Sequence, residues 1–187
     1  MAKRIIVGIS GATGVIYGIR LLKELHKRQE VETHLIISEA GIKNIAIETE
    51  EKIDDLYKLA DYYYSNSDLA APVSSGSFLA EAMVIMPCTI KTLSGIANSY
   101  NANLMTRVAD VCLKEKRTLI LGVRETPLHS GHLELMHKAS SLGALILPPV
   151  PAFYHRPQNI SDIINQTVGK VLDNINIEHN LFKRWKS

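Results

Sequence analysis

Several features that mark other protein classes are scarce in this chain of 187 residues. Only two cysteines occur, Cys88 and Cys112, so the sequence indicates no disulfide framework, and a reducing cytoplasm is the expected location. No apolar run approaches the ~20 residues that span a bilayer, and the first apolar run is too short for a secretory signal. The net charge of +2 is too small to indicate nucleic acid or a membrane as a main partner.

The glycine pattern of dinucleotide-binding folds is also missing. The first glycines stand at positions 8, 11, 14 and 18, and Tyr17 stands where a short NADP-type variant of Gly11–Gly14 would have its last glycine. Ser38, followed by Glu39, ends the next strand where a ribose-binding acid is usual. A turn from strand into helix nevertheless aims backbone N–H groups and a helix dipole at one point. We therefore predict a site for a phosphate monoester such as FMN.

Strand and helix patterns alternate along the rest of the chain. The run Ala82–Met86 is continuously apolar, as is typical of a parallel strand buried on both faces, and the four prolines of Pro148–Pro157 require an extended segment. The pattern predicts an α/β fold, a three-layer, doubly wound parallel sheet of the flavodoxin-like or Rossmann-like class, in a single domain over residues 1–187. The predicted strands lie near residues 5–7, 32–37, 82–86, 118–123 and 144–147. The predicted helices lie near residues 15–25, 40–47, 53–63, 89–97, 104–116, 133–142 and 160–175.

Polar residues follow the predicted strands at their carboxyl ends, where ligands of such sheets bind. They lie in Gly11–Gly14, at Ser38, in Thr89–Thr92, at Arg124 and Glu125, and in Phe153–Arg156. Hydroxyl groups, one acid, basic groups and an aromatic ring together suit an anionic, partly aromatic ligand. The ordinary polarity of strand ends is the alternative explanation.

Two other chemistries are less well supported by the sequence. His129, His132, Glu134 and His137 cluster in the sequence, but the His-Glu-x-x-His order of a zinc site is missing, so no metal is expected. Cys88 follows an apolar strand and is expected to be a small buried residue rather than a nucleophile.

Seven groups of motifs, in order and over nearly the full length, resemble the UbiX-type flavin prenyltransferases. These are Gly8–Gly14 with Tyr17 and Gly18, His34–Ser38, Ser74–Phe78, Met86–Cys88 with Lys91–Leu93, Thr106–Asp110 with Leu113–Glu115, Arg124–Leu128 and Pro151–Pro157.

The resemblance implies a flavodoxin-like fold, a homododecamer and FMN bound between subunits, without a metal. It implies transfer of a dimethylallyl group from dimethylallyl phosphate to N5 and C6 of reduced FMN. The prenylated FMN would then pass to a UbiD-type decarboxylase. The proline-rich segment and the last helix, residues 148–187, would complete the active site.

The resemblance also implies roles for individual residues. Thr13 stands where many relatives have serine, and Lys170 where arginine is frequent, which keeps the charge but loses a bidentate fork. The residues expected to hold the flavin are Gly11, Ala12, Thr13, Ser38, Thr89, Ile90, Lys91, Thr92 and Arg124. The residues expected to bind the prenyl phosphate are Tyr154, Lys170, Arg107 and Lys114. The residues expected to take part in catalysis are Glu48 and Glu125 as an acid/base pair, with Lys114 and Thr13.

The expected chemistry explains these residue types. Arg107, Lys114 and Lys170 would stabilise the departing phosphate in place of Mg²⁺, and Glu48 would accept the proton lost from the ring if it is partly buried. Each residue also has a structural alternative, since the cations are typical of solvated surfaces and Glu48 of a helix end. Three other functions stay open from the residues: an FMN-dependent decarboxylase, an NAD(P)-dependent reductase and a flavin-binding chaperone.

Overall fold

A computed structural model of the chain describes residues 2–185, in which strands and helices alternate as predicted. The strands are β1 (Lys3–Ile9), β2 (Val31–Ile37), β3 (Tyr62–Ser65), β4 (Ala82–Cys88), β5 (Thr118–Val123) and β6 (Leu145–Ile146). The helices are α1 (Val15–His26), α2 (Glu39–Glu48), α3 (Ile53–Tyr57), α4 (Ile90–Ala97), α5 (Leu104–Lys114), α6 (Ser130–Ser141) and α7 (Ile160–Asn174). A 3₁₀ turn covers Pro72–Ser74.

The strands form one parallel sheet in the order β3-β2-β1-β4-β5-β6. The chain winds outwards from β1 to β3 and then returns to start again at β4, beside β1. The strand order therefore reverses between β1 and β4, and open α/β sheets bind ligands at such a reversal. The predicted doubly wound parallel sheet is confirmed.

Alternate side chains of the strands enter two separate cores. Val7 and Val84 point to the face covered by α1 and α7, whereas Ile6 and Ile85 point to the face covered by α4, α5 and α6. Burial of both faces accounts for the continuous apolar runs of the central strands.

The predicted helix over residues 53–63 is wrong in its second half. Helix α3 ends at Tyr57, and Tyr62–Ser65 pairs with β2 as an edge strand that the sequence analysis did not predict. Tyr62 and Tyr63 are 52% and 58% exposed. Asp61 starts the pairing because its backbone and carboxylate both bond the backbone of Thr33, and aromatic residues then favour an extended strand.

A buried histidine joins this edge strand to the sheet. His34 on β2 is 2% exposed; its Nδ1 lies 3.0 Å from the Tyr64 hydroxyl and its Nε2 2.9 Å from Glu32 Oε1. Its ring also stacks on Tyr62, with the centroids 5.0 Å apart. Burial lowers the pKa of His34, although the Glu32 carboxylate opposes the shift.

Because burial lowers the pKa of His34, we predict that the protein becomes less stable as the pH drops below about 6.5, the ordinary pKa of histidine. Below this pH the unfolded chain binds a proton at His34 that the folded chain does not bind. The free energy of unfolding therefore falls by at most about 1.4 kcal/mol per pH unit. Urea unfolding between about pH 7.5 and 5.5 measures the slope. His34→Gln should flatten it, whereas the same change at exposed His137 should not. An unchanged slope in His34→Gln would assign the effect to another group.

Candidate active site

Two helices begin at the carboxyl edge of the sheet with hydroxyl N-caps. Ser38 Oγ accepts a hydrogen bond from Gly41 N at 3.0 Å at the start of α2, and Thr89 Oγ1 accepts one from Thr92 N at 3.0 Å at the start of α4. These caps leave other N–H groups of each first turn without an intrahelical partner, and both dipoles present their positive ends. The edge therefore favours an anion such as a phosphate monoester.

Buried Ser10 brings the two helix starts together. Its Oγ donates to Pro87 O at 2.7 Å and accepts from Thr89 N at 2.9 Å, which joins the end of β1 to the end of β4. Ser38 N donates to Ile9 O at 3.0 Å and joins β2 to the same point. The structure thus brings Ser38 and Thr89–Thr92 to one edge, as predicted, through a serine to which the sequence analysis gave no role.

The start of α1 is different, because the protein's own carboxylate occupies it. Glu48 Oε2 accepts hydrogen bonds from Gly14 N at 2.8 Å and from Val15 N at 3.3 Å. Gly14 has a φ of +89° and no side chain to cap the helix, so Glu48 from the end of α2 does so instead. The sequence analysis predicts a phosphate site at the first βα turn. A phosphate bound there would face the Glu48 carboxylate at the start of α1. Glu48 is exposed as a residue in the single chain, so the partial burial on which its proposed role depends is not provided by residues 2–185 alone.

The loop before α1 lies close against α2. Asn44 Nδ2 donates to Gly11 O at 2.9 Å, and a Cβ at Gly11 would collide with the Cβ of Ala40, so only glycine permits this approach. Ala12 is partly exposed and Thr13 exposed on the loop, which leaves both accessible to a ligand.

Arg124 follows β5 and lies at the same edge. Its backbone N–H donates a hydrogen bond to Cys88 O at 3.0 Å. Its partly buried guanidinium makes no ion pair within residues 2–185. Burial raises the pKa of Tyr17 in the first turn of α1, and the Arg124 charge opposes that rise. Exposed Glu125 accepts from Thr126 N at 3.0 Å. Arg124 is therefore a cation available to the anion site.

Arg107 and Lys114 lie on α5. Arg107 Nε donates to Ser74 O at 3.2 Å and its Nη1 is 3.5 Å from Asp110 Oδ2, while exposed Lys114 contacts the Glu115 carboxylate. Helix α5 covers the sheet face opposite that of α1 and α7.

Tyr154 and Lys170 belong to the other face, with α7. The Tyr154 ring meets Trp185 edge-on, with the centroids 5.6 Å apart, and Arg184 beside it holds Asp173 at 2.7 Å and 3.0 Å. Lys170 is exposed and lies about one helical turn from Asp173. The sequence analysis gave no role to Trp185, although it is the chain's one tryptophan. The four residues expected to bind the donor are thus divided between two faces.

The remaining candidates from the sequence analysis are placed as follows. Burial raises the pKa of Cys88 to about 12, and this thiol lies in the core as predicted. His129 and His132 lie with ring centroids 3.5 Å apart, and residues 2–185 contain no group of three metal-ligating side chains. Across the same residues, no helix is long and apolar enough to cross a membrane.

Fold and site together define an α/β protein whose reversal of strand order suits a phosphate-bearing ligand. The Flavoprotein family model matches residues 1–172. Flavin prenyltransferase UbiX of Escherichia coli K12 is 55% identical over 186 residues, which cover 98% of each chain. The chain therefore belongs to the Flavoprotein family, in its branch of UbiX-type flavin prenyltransferases.

Two solved structures are similar over almost the whole chain. AnUbiX (PadA1) in complex with FMN and dimethylallyl pyrophosphate has a TM-score of 0.96 and 44% identity, covering 100% of this chain and 99% of that one. The dodecameric FMN-dependent UbiX-like decarboxylase from Escherichia coli O157:H7 has a TM-score of 0.96 and 43% identity, covering 98% and 100%.

We predict that the two N-caps of the anion site, Ser38 and Thr89, contribute to FMN affinity as well as to the stability of the protein. Ser38→Ala and Thr89→Ala should each cost about 1 kcal/mol of unfolding free energy and raise the FMN Kd roughly tenfold, because the helix start loses order and a hydroxyl. Fluorescence titration and urea unfolding measure the two effects.

The matched control is Asn103→Ala, which removes the N-cap of α5, a helix start that carries none of the residues expected to hold the flavin. It should lose similar stability and keep the FMN Kd. Equal loss of FMN affinity in all three variants would show that the caps act only through stability.

Proposed function

We propose that this chain is a flavin prenyltransferase that transfers a dimethylallyl group from dimethylallyl phosphate to N5 and C6 of reduced FMN. The observation that carries the proposal is the pair of capped helix starts at the strand reversal, with Arg124 beside them. Family membership supports the reaction.

The residues at this edge fit FMN. Ser38 and the Thr89–Thr92 turn would hold its single phosphate, since two helix starts converge there. The loop of Gly11, Ala12 and Thr13 would lie along the flavin, and Arg124 would contact the flavin or the donor phosphate. Reduced FMN supplies an electron-rich ring whose N5 and C6 act as nucleophiles.

The cations would promote departure of the donor's phosphate. Arg107, Lys114 and Lys170 neutralise its charge, and the Tyr154 hydroxyl donates a hydrogen bond to it, so that the allylic C–O bond breaks more easily. AnUbiX was solved in complex with FMN and dimethylallyl pyrophosphate, which supports a protein that holds a flavin together with a prenyl donor.

Glu48 would accept the proton that leaves C6. Gly14 N and Val15 N donate hydrogen bonds to its carboxylate, which therefore keeps a fixed position beside the flavin loop. Exposed Glu125, next to Arg124, would be the second acid/base group of the pair.

The complete site would require more than one copy of the chain. Helices α5 and α7 lie on opposite faces of the sheet, so Arg107 and Lys114 of one protomer would meet Tyr154 and Lys170 of another. A homododecamer is the assembly that we propose, by analogy with the dodecameric relative. The segment of residues 148–187 would then complete the site of a neighbour in a single-domain protomer.

The product would be released to a UbiD-type decarboxylase in the cytoplasm. The free, buried Cys88 and Cys112 agree with a reducing compartment. An FMN-dependent decarboxylase is the less favoured alternative, because the curated relatives share the transferase function in their names.

The reaction predicts a flavin heavier by one prenyl unit. Protein, reduced FMN and dimethylallyl phosphate are incubated without oxygen and with EDTA, and the flavin is analysed by mass spectrometry. Oxidised FMN should give no product, since its ring is electron-poor. Glu48→Gln should bind both ligands and slow proton removal, because the amide keeps the shape without the basicity.

Two comparisons sharpen this experiment. The diphosphate donor tested in parallel shows which phosphate form the cations accept. Turnover only with added Mg²⁺, or normal turnover by Glu48→Gln, would contradict the mechanism, and NADPH binding tighter than FMN would contradict the ligand.

The composite site predicts complementation between two variants. Lys114→Ala and Lys170→Ala should each lose most activity alone, because each removes a cation from every site. When subunits are mixed in equal amounts, about one quarter of the sites should combine an intact α5 with an intact α7. Activity should return to that extent.

Subunits mixed after assembly, without exchange, provide the control and should stay inactive. No recovery in co-assembled oligomers would place both lysines of a site on one chain.

A further inference from the structure

The loop Ser74–Phe78 carries one of the seven sequence motifs and lies against helix α5. Arg107 Nε on this helix donates a hydrogen bond to Ser74 O at 3.2 Å. A Cβ at Gly76 would lie 2.8 Å from Lys114 Nζ, closer than such atoms approach in proteins, so the backbone of the loop passes directly beside the lysine head group. The loop therefore contacts both α5 cations that are expected to bind the donor phosphate.

Arg117 holds this loop through two hydrogen bonds. Its Nη1 donates to Phe78 O at 2.6 Å, and its Nη2 donates to Gly76 O at 2.6 Å. The two terminal nitrogens thus bind two carbonyls of the loop in one planar fork, which a lysine side chain cannot reproduce. Hydrogen bonds from a charged donor are stronger than those between neutral groups, and Arg117 is partly buried.

The end of α5 fixes where Arg117 begins. Arg117 N donates to Cys112 O at 2.8 Å, and Lys116 N donates to Leu113 O at 3.1 Å. Lys116 has a φ of +55°, so the helix ends in a left-handed turn of the Schellman type. This ending sets the backbone of Arg117 relative to Lys114, three residues earlier. The loop, the arginine and the lysine therefore form one structural unit.

The position of the Lys114 side chain depends on its neighbours. Lys114 is exposed and contacts the Glu115 carboxylate. The hydrogen bond and the charge of Lys114 lower the pKa of Glu115, and the charge of Arg117 lowers it further. An exposed lysine has many rotamers, and the close approach of Gly76 excludes those that would occupy the same space.

We propose that Arg117 is a positioning residue for prenyl transfer: it holds Ser74–Phe78 against α5 and thereby keeps Arg107 and Lys114 arranged to bind the donor phosphate. This inference rests on the proposed function, in which those two cations bind that phosphate. Arg117 acts through the loop, because both of its terminal nitrogens are bonded to loop carbonyls. Without Arg117, the phosphate would have to order the loop and both cations on binding, which lowers its affinity.

The first test uses Arg117→Ala in the assembled protein saturated with FMN. Calorimetric titration with inorganic phosphate gives a phosphate Kd without turnover, and steady-state kinetics gives KM and kcat for dimethylallyl phosphate. Arg117→Ala should raise the phosphate Kd and the donor KM roughly tenfold, with the FMN Kd unchanged. Arg117→Lys keeps the charge without the fork and should recover only part of the loss.

A second variant disturbs the same contact while Arg117 stays in place. The methyl group of Gly76→Ala meets the flexible end of Lys114, so it should displace that side chain, raise the phosphate Kd and leave the free energy of unfolding near that of the wild type. In a Lys114→Ala background, Arg117→Ala should weaken phosphate binding less than it does in the wild type, because the two residues act together.

The matched control is Asp61→Ala. It removes a hydrogen bond of 2.7 Å from Thr33 N to the Asp61 carboxylate, between β2 and the start of β3, and touches none of the residues expected to bind the donor. It should lower the free energy of unfolding and keep the wild-type phosphate Kd.

The remaining outcomes would overturn the inference. Wild-type phosphate Kd and donor KM in Arg117→Ala would show that the loop does not position the cations. Full recovery in Arg117→Lys would assign the effect to charge alone, and an equal loss in Asp61→Ala would assign it to stability. If Arg117→Ala does not fold, a wild-type phosphate Kd in Gly76→Ala overturns the inference. A wild-type protein that binds phosphate but does not prenylate FMN would contradict the proposed function instead.

Discussion

The hydroxyl of Ser10 is the contact on which the geometry of the site depends. It bonds Pro87 O and Thr89 N together at the reversal of strand order, where β1 and β4 lie side by side but the chain between them is long. Without this hydroxyl, the start of α4 would lose its side-chain tie to β1 and keep the backbone bonds from Ser10 N to Pro87 O and from Arg124 N to Cys88 O. A buried hydroxyl that both donates and accepts is rigid, so it holds the start of α4 against the end of β1, where Ile9 O accepts from Ser38 N at the start of α2.

The three helix starts at this edge differ in the charge of the group that caps them. Helix α1 carries an internal anion, Glu48, whereas α2 and α4 are capped by neutral hydroxyls of Ser38 and Thr89. An anionic ligand is repelled from the first and attracted to the other two. The arrangement that would direct a phosphate to α2 and α4 also keeps a carboxylate at α1. In the proposed function, phosphate binding and proton transfer would therefore take place at different helix starts.

Sequence patterns predicted the sheet and the residues at its edge because both depend on local periodicity. The apolar run Ala82–Met86 and the hydroxyls after β2 and β4 are visible without a structure. Strand β3 was not predicted, since Tyr62–Ser65 is exposed and becomes a strand only by pairing with β2. The capping of α1 by Glu48 was missed for a similar reason, because 34 residues separate the carboxylate from Gly14. Contacts of this kind follow from the assembled fold.

The exposed apolar side chains of the single chain, like the division of the cations between two faces, are consistent with assembly of several copies. Ile47, Leu79, Tyr100, Phe153 and Trp185 are each at least 67% exposed. Scattered apolar residues are common on monomers, but Ile47 adjoins Glu48 in the chain, and Phe153 and Trp185 adjoin Tyr154. Their burial between subunits would exclude water from the donor phosphate, and its attraction to the cations grows as water is excluded. Assembly and catalysis would then depend on the same surfaces, which is the physical reason to expect a variant that weakens assembly to lose activity even with its flavin residues intact.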